Sequence, residues 1–160
     1  MESFDALPLA AIVSDQFFCI HGGISENIKT VDDIRKIHRF SEPPQKGAAC
    51  DVLWADPMED FDTYNGEQRF FFNDVRSCSC VFSYKAACDF LDRNHLRCII
   101  RAHEAQDEGY VHLSLSMSLA FIFLLNITVT KPIVKRITFL LSLHSFPLPI
   151  IWTLMETKVR

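Results

Sequence analysis

From Val111 to Thr130 the chain carries no Asp, Glu, Lys or Arg, whereas the residues before Tyr110 intersperse charges with regular turn signals. That break confines any ordinary globular domain to residues 1–110 and sets residues 111–160 apart as an apolar tail. The 17-residue stretch 113–129 sits at the lower limit of length for a membrane span. Its serines, Asn126 and nearby Pro132 make it a marginal one. The first part reads as an α/β domain. Ala11-Ile12-Val13 and Phe17-Phe18-Cys19-Ile20 read as buried strands joined by a Ser14-Asp15-Gln16 turn. Thr30 is placed to cap a helix with Asp32 and Asp33 in its first turn and Ile34, Ile37 and Phe40 on its apolar face. Pro43-Pro44 stops that helix, and Asp56-Pro57 reads as a turn or loop. Ser83 is placed to cap a second helix that turns Ala87, Phe90 and Leu91 inward and ends at Asn94. Cys98-Ile99-Ile100 reads as a buried strand leading through Arg101 and Ala102 to His103.

Two of these short strands finish at a histidine, His21 and His103. In α/β architectures ligands bind at the carboxyl ends of strands. A neutral imidazole there offers a nitrogen to a divalent metal. Gly22 and Gly23 give the backbone freedom for a sharp exit and a close approach to an anion. Taken alone, the same features suit a hydrogen-bonded structural histidine and a plain turn. His38 and His95 read as surface groups on or beside helices. The net charge of -4 leaves no basic footprint for nucleic acid. The six cysteines form no Cys-x-x-Cys pair, which argues against a zinc ribbon and for reduced thiols in a cytoplasmic protein. Residues 1–5 have neither a basic start nor an apolar core, so no secretory leader is read.

Longer motifs sharpen the choice. Phe4-Asp5-Ala6-Leu7-Pro8-Leu9-Ala10-Ala11, then Cys19-Ile20-His21-Gly22-Gly23-Ile24-Ser25, resemble the phosphoprotein phosphatase family. Asp32-Asp33-Ile34-Arg35-Lys36-Ile37 and Cys50-Asp51-Val52-Leu53-Trp54-Ala55-Asp56-Pro57 are similar to it in the same order. Arg101-Ala102-His103-Glu104-Ala105-Gln106-Asp107 resembles its calcineurin, or protein phosphatase 2B, branch in particular. The resemblance implies a metallophosphatase sandwich of two β-sheets flanked by helices, present here in part. It implies hydrolysis of phosphoserine and phosphothreonine at two divalent metal ions, iron and zinc or manganese. His21 and His103 would ligate one metal, Arg76 would hold the substrate phosphate, and Asp56 stands near the substrate groove. A guanidinium suits the role given to Arg76, because its planar fork matches two phosphate oxygens. Phosphoprotein substrates are implied, as are a calcium-binding regulatory subunit and calmodulin for a parent enzyme.

Three motifs of the family are missing from the sequence: Gly-Asp-x-His-Gly, Gly-Asp-x-Val-Asp-Arg-Gly and Gly-Asn-His-Glu. With them go the bridging carboxylate, the asparagine ligand and the acid histidine, so this chain is expected to be an inactive fragment in which Met1 is an internal methionine. Two imidazoles cannot hold two divalent ions without an anionic bridge. Ser77 stands where the family has Gly, Cys80 where it has an aromatic, and Glu26 where it has Pro. A non-catalytic truncated isoform is one alternative, and a pseudophosphatase anchored in a membrane through 113–129 is another.

The tail reads as translated intron followed by an exon in a shifted frame. Codons for Val111 begin with GT, as most introns do, and thymine-rich sequence yields Phe, Leu, Ile and Ser. Read two bases later, Thr138 to Arg160 permits Phe-Pro-Ser-Leu-Ile-Thr-Leu-Phe-Ser-Ala-Pro-Asn-Tyr, the family's next segment. Trp152 followed by Thr153 forces an Asp, and Met155 followed by Glu156 forces a Gly, both as that segment needs. Sequencing the spliced transcript checks this reading: a mature message that omits Phe121–Leu125 is expected, and one that encodes them overturns it.

Overall fold

The computed structural model describes residues 6–61, 63–105, 110–114 and 123–127, the last two segments as backbone only. Two sheets carry the architecture. The larger has five strands in the order β1 (Ala10–Val13), β2 (Phe17–Ile20), β6 (Cys98–Arg101), β8 (Phe123–Ile127), β7 (Tyr110–Ser114). The smaller has three, in the order β3 (Asp56–Pro57), β5 (Cys80–Phe82), β4 (Phe70–Phe72). Three helices, α1 (Val31–Arg35), α2 (Ala48–Trp54) and α3 (Tyr84–Arg93), complete the described part. This is the expected α/β arrangement of two sheets with helices.

The first hairpin forms where the sequence places it. β1 and β2 pair antiparallel from Ala10↔Ile20 to Val13↔Phe17. Ser14 and Asp15 take φ of 52° and 54°, and the Gln16 N–H donates to the Val13 carbonyl over 3.1 Å. Positive φ at both central residues matches the right-handed twist of the flanking strands. Asp is among the residues that tolerate this region best. β2 then pairs parallel with β6, Phe17↔Cys98 through Ile20↔Arg101. Parallel strands need a long crossover, and everything from His21 to Arg97 supplies it.

The core lies under this crossover. Phe18, Ile24, Val52, Phe82, Leu91 and Ile99 are fully enclosed and join both sheets to α3. Phe18 and Phe90 meet with ring centroids 5.0 Å apart. Each such ring contributes about 1.5–3 kcal/mol through burial alone. α3 matches expectation: Ser83 caps it by accepting from the Ala86 N–H at 3.4 Å, and Ala86, Ala87, Phe90 and Leu91 face inward. Asn94 ends it and also ties it to α1. Its side chain accepts from the Val31 N–H at 3.0 Å and donates to the Lys29 and Phe90 carbonyls at 3.2 and 2.7 Å.

Other expectations need correction. The first helix is a short turn that ends at Arg35, with Lys36 as its C-cap. Ile34 is buried, but Phe40 is 57% exposed and stacks beneath the Arg39 guanidinium instead of joining a helix face. Asp56-Pro57 is a short strand, because Met58 N–H pairs with the Phe82 carbonyl at 3.1 Å. A proline without an N–H fits there, since β3 is an edge strand. α2 lacked a sequence signal: its N-cap is Gly47 at φ 90°, with no capping side chain.

The boundary expected at Tyr110 falls at the start of β7. β8 pairs parallel with β6, Cys98↔Phe123 through Arg101↔Asn126, and antiparallel with β7. Among the described residues no helix is long and apolar enough to cross a membrane. Met1 and the segment from Thr138 to Arg160 lie outside the described residues.

The cap of α1 gives a pH test. Asp33 accepts from the Thr30 N–H at 2.8 Å, from the Thr30 hydroxyl at 2.9 Å and from Lys29 N–H at 3.2 Å. These hydrogen bonds, with Lys36 beside them, lower its carboxyl from 3.8 to about 2. A depressed folded value means the cap contributes in full above the unfolded value and is lost as pH falls through the folded one. A carbon-detected titration of Asp33 is expected to give a midpoint of about 2, and a midpoint near the ordinary 3.8 would remove the cap.

Candidate active site

Because β2 and β6 run parallel, their carboxyl ends emerge side by side. The Ala102 N–H extends the contact by donating to the His21 carbonyl at 3.2 Å. His21 Nε2 and His103 Nδ1 then lie 3.1 Å apart, with ring centroids at 4.9 Å. His103 sits at φ 69°, and the Glu104 N–H donates to the Ala102 carbonyl at 2.9 Å across it. This is a three-residue γ-turn with positive φ, a rare and strained form. Such strain persists where surrounding contacts over-determine it, and it gathers at functional sites. Here the contacts include Trp54, whose ring meets His103 edge-on at 5.3 Å and 88°.

The glycines serve packing. A Cβ on Gly22 would lie 2.6 Å from the Leu53 carbonyl carbon and 2.8 Å from the Trp54 nitrogen. On Gly23 it would lie 2.4 Å from the Phe82 ring. Neither residue takes a positive φ. The close approach expected for an anion is made instead by the end of α2, whose Val52 carbonyl accepts from Gly22 N–H at 2.9 Å.

Asp56 lies beneath the histidines and is buried. Its Oδ2 accepts from Arg76 Nε and Asn73 Nδ2, both at 3.0 Å, and its Oδ1 accepts from Arg101 at 2.7 Å. Arg76, and not Asp56, lines the adjoining groove of about 830 Å³, together with Ser25, Asn27, Trp54 and Phe72. Asp56 thus stands beside the groove and not in its lining: two guanidinium groups and an amide draw its carboxylate into the floor. Arg76 spends its Nε on Asp56, and its N–H donates to Asn73 Oδ1 at 3.1 Å. Among the described residues its terminal nitrogens have no hydrogen-bond partner, so the fork stays free at the groove.

The charges set protonation states. Burial pushes the Asp56 carboxyl up, but hydrogen bonds from Arg76 and Asn73 and the charge of Arg101 outweigh it, leaving the group below its ordinary value. Burial pushes His21 down, and the Arg101 and Arg76 charges add to that against the pull of Asp56. His103 is likewise lowered by burial, opposed by Asp56 and reinforced by Arg76, His21 and Arg101. Both imidazoles are therefore neutral at pH 7 and keep a lone pair for a Lewis acid. Zinc–imidazole bonds are about 2.0–2.1 Å, so nitrogens 3.1 Å apart are close enough for one ion to reach both. His103 Nε2 is buried without a hydrogen-bond partner, 3.9 Å from Asp56 Oδ1. A metal at Nδ1 would leave Nε2 carrying the proton, with Asp56 as the carboxylate that faces it. Among the described residues no group of three or more His, Cys, Asp or Glu is gathered to hold a metal. The residues fit a share of a metal centre.

His38 and His95 are exposed, and all six cysteines are unpaired thiols. The sequence reading missed Arg101, Asn73 and Asp51. Asp51 is buried on α2 and accepts from Ser79 Oγ at 2.8 Å and Asn27 Nδ2 at 3.0 Å, joining the loop after His21 to the loop after Arg76. A charged residue closing the apolar run 98–101 was the available signal for Arg101.

Comparison with known proteins follows the same lines. Residues 1–107 match the family described as calcineurin-like phosphoesterase. The chain belongs to the calcineurin-like phosphoesterase family. It is 51% identical over 116 residues to the serine/threonine-protein phosphatase 2B catalytic subunit A1 of Saccharomyces cerevisiae, covering 68% of this chain and 21% of that protein. To the A2 subunit of the same yeast it is 41% identical over 150 residues, covering 79% and 25%. A solved protein serine/threonine phosphatase from Saccharomyces cerevisiae, with similarity to human phosphatase PP5, superposes with a TM-score of 0.62 at 30% identity, covering 80% of this chain and 36% of that one. This family member thus spans a fifth to a quarter of the two yeast subunits.

Ser77, where the resemblance implies glycine, lies in the loop after Arg76, and its backbone carries a cost. Ser77 takes φ 55°. A left-handed backbone costs an L-residue about 1–2 kcal/mol, part of which glycine's extra chain entropy returns. Ser77→Gly is expected to stabilise the chain by about 1 kcal/mol in urea denaturation. Equal or lower stability would overturn the left-handed assignment.

Proposed function

We propose that this chain supplies part of the catalytic centre of a protein serine/threonine phosphatase of the phosphatase 2B type, acting on phosphoserine and phosphothreonine. The observation that carries the reading is the 3.1 Å approach of His21 Nε2 to His103 Nδ1 at the ends of adjacent parallel strands. Arg76 supports it, with its fork free at the groove and its charge near enough to lower both imidazoles.

In this reading His21 and His103 would hold one divalent ion of a two-metal centre, iron and zinc or manganese. Bound there, such ions would supply an activated water and charge neutralisation for the phosphoryl oxygens. Arg76 binds the substrate phosphate through its terminal nitrogens, and Asp56 fixes the angle of that fork through Nε. The neutral imidazoles present lone pairs for which protons do not compete with a metal. The anionic bridge and the leaving-group acid come from residues outside this chain, so the chain alone does not turn over. Phosphoprotein substrates, a calcium-binding regulatory subunit and calmodulin are proposed partners of the whole enzyme, by its likeness to the phosphatase 2B catalytic subunits.

Phosphatase assays with added manganese test this. The 160-residue chain is expected to show no turnover above background, whereas a form extended to include the three missing motifs hydrolyses a phosphoserine peptide. In that form Arg76→Ala is expected to lower kcat about 10²–10³-fold, as loss of a charge-stabilising donor does. Turnover by the chain itself, or an Arg76→Ala form of full activity, contradicts the assignment.

A further inference from the structure

Arg101 makes no contact with the groove, yet its side chain is wholly enclosed. A buried guanidinium is costly unless its donors are matched, and a buried charge of this kind serves geometry more readily than stability. The matching here is specific. Nε donates to the Gly22 carbonyl at 2.6 Å. One terminal nitrogen donates to Asp56 Oδ1 at 2.7 Å and to the Ala55 carbonyl at 3.3 Å. The other pairs with the Glu104 carboxylate.

Among the described residues these partners belong to three separate segments, and each adjoins a group of the candidate site. Gly22 follows His21. Glu104 follows His103. Asp56 is the carboxylate that holds Arg76. One rigid plane therefore spans the loop after β2, the junction of α2 with β3 and the turn after β6. We infer that Arg101 is a positioning residue, which sets the two imidazoles and the phosphate-binding arginine in one fixed frame. The inference rests on the reading of those three residues given above, and it adds the device that brings them into register. Lysine cannot replace it, because a single ammonium on a flexible stem has no fork with which to hold three directions at once. The strained turn at His103 needs such a clamp: Glu104 is its closing residue.

The test uses the full 160-residue chain, isotope-labelled, as wild type, Arg101→Lys and Arg101→Met. Three signals are read without metal: the ring-to-ring NOE between His21 and His103, the Nε–Hε resonance of Arg76, and the amides of the β1–β2 hairpin and α3. Zinc titration is read separately, with His21→Ala as control. Both variants are expected to keep the hairpin and α3 amides while losing the ring NOE and shifting Arg76 Hε. Their zinc affinity is expected to fall about 10–100-fold, as for partners that orient metal ligands. A ring NOE and an Arg76 signal unchanged in Arg101→Lys overturn the inference. So does loss of the hairpin and α3 amides in both variants, which would make Arg101 a support of the core. Zinc uptake indifferent to His21→Ala counts against the metal reading of the preceding section, while the NOE and Arg76 signals judge Arg101 by themselves.

Discussion

His21 and His103 meet because β2 and β6 run parallel in one register, with Ile20 opposite Arg101. The rest of the site hangs on that pairing. Side chains alternate across a strand, so a slip of one residue would turn Phe18 and Ile99 out of the core. It would also part the histidines. The register is held by apolar burial on one side and by the polar contacts of Arg101 at its end. A hydrophobic constraint thus delivers two polar groups to one point, some eighty residues apart in sequence.

The electrostatics follow from what lies under that point. A chain with a net charge of -4 gathers Arg76 and Arg101 around one carboxylate, Asp56, and two neutral imidazoles. Arg101 also pairs with the Glu104 carboxylate, so the two cations meet two carboxylates and the formal charges balance, while the guanidinium groups facing the imidazoles still disfavour their protonation. Breaking a buried ion pair on one side leaves an uncompensated charge and costs about 3–5 kcal/mol. Asp56 is consequently both a structural joint and the orienting partner of Arg76.

Glu26, Ser77 and Cys80, where the resemblance implies other residues, all line the groove. Glu26 is exposed, and Ser77 takes a backbone conformation better suited to glycine. Cys80 turns its thiol toward the Ile24 carbonyl at 3.6 Å, and burial with the nearby Asp51 charge pushes it up to about 12. It is therefore an inert thiol in place of an aromatic ring. None of these alters the pairing of β2 with β6, so the half of the site that holds the two histidines keeps its form.

The hairpin, α3 with its Ser83 cap, and the β6 strand were legible in the sequence, because local periodicity, turn residues and caps act over a few positions. The two strand-end histidines and Arg76 were legible through motif order. α2 was not, since its N-cap is a glycine and its helix is held by packing against Gly22. Nor was the strand at Asp56-Pro57, which exists only because Phe82 lies beside it. The burial of Asp56 and the clamp of Arg101 belong to tertiary structure alone. They depend on carbonyls and carboxylates brought together from segments tens of residues apart. Sequence by itself determined which groups are the candidates for chemistry. Only the folded chain decided which of them touch, because distance in space is set by the crossover and not by spacing along the backbone.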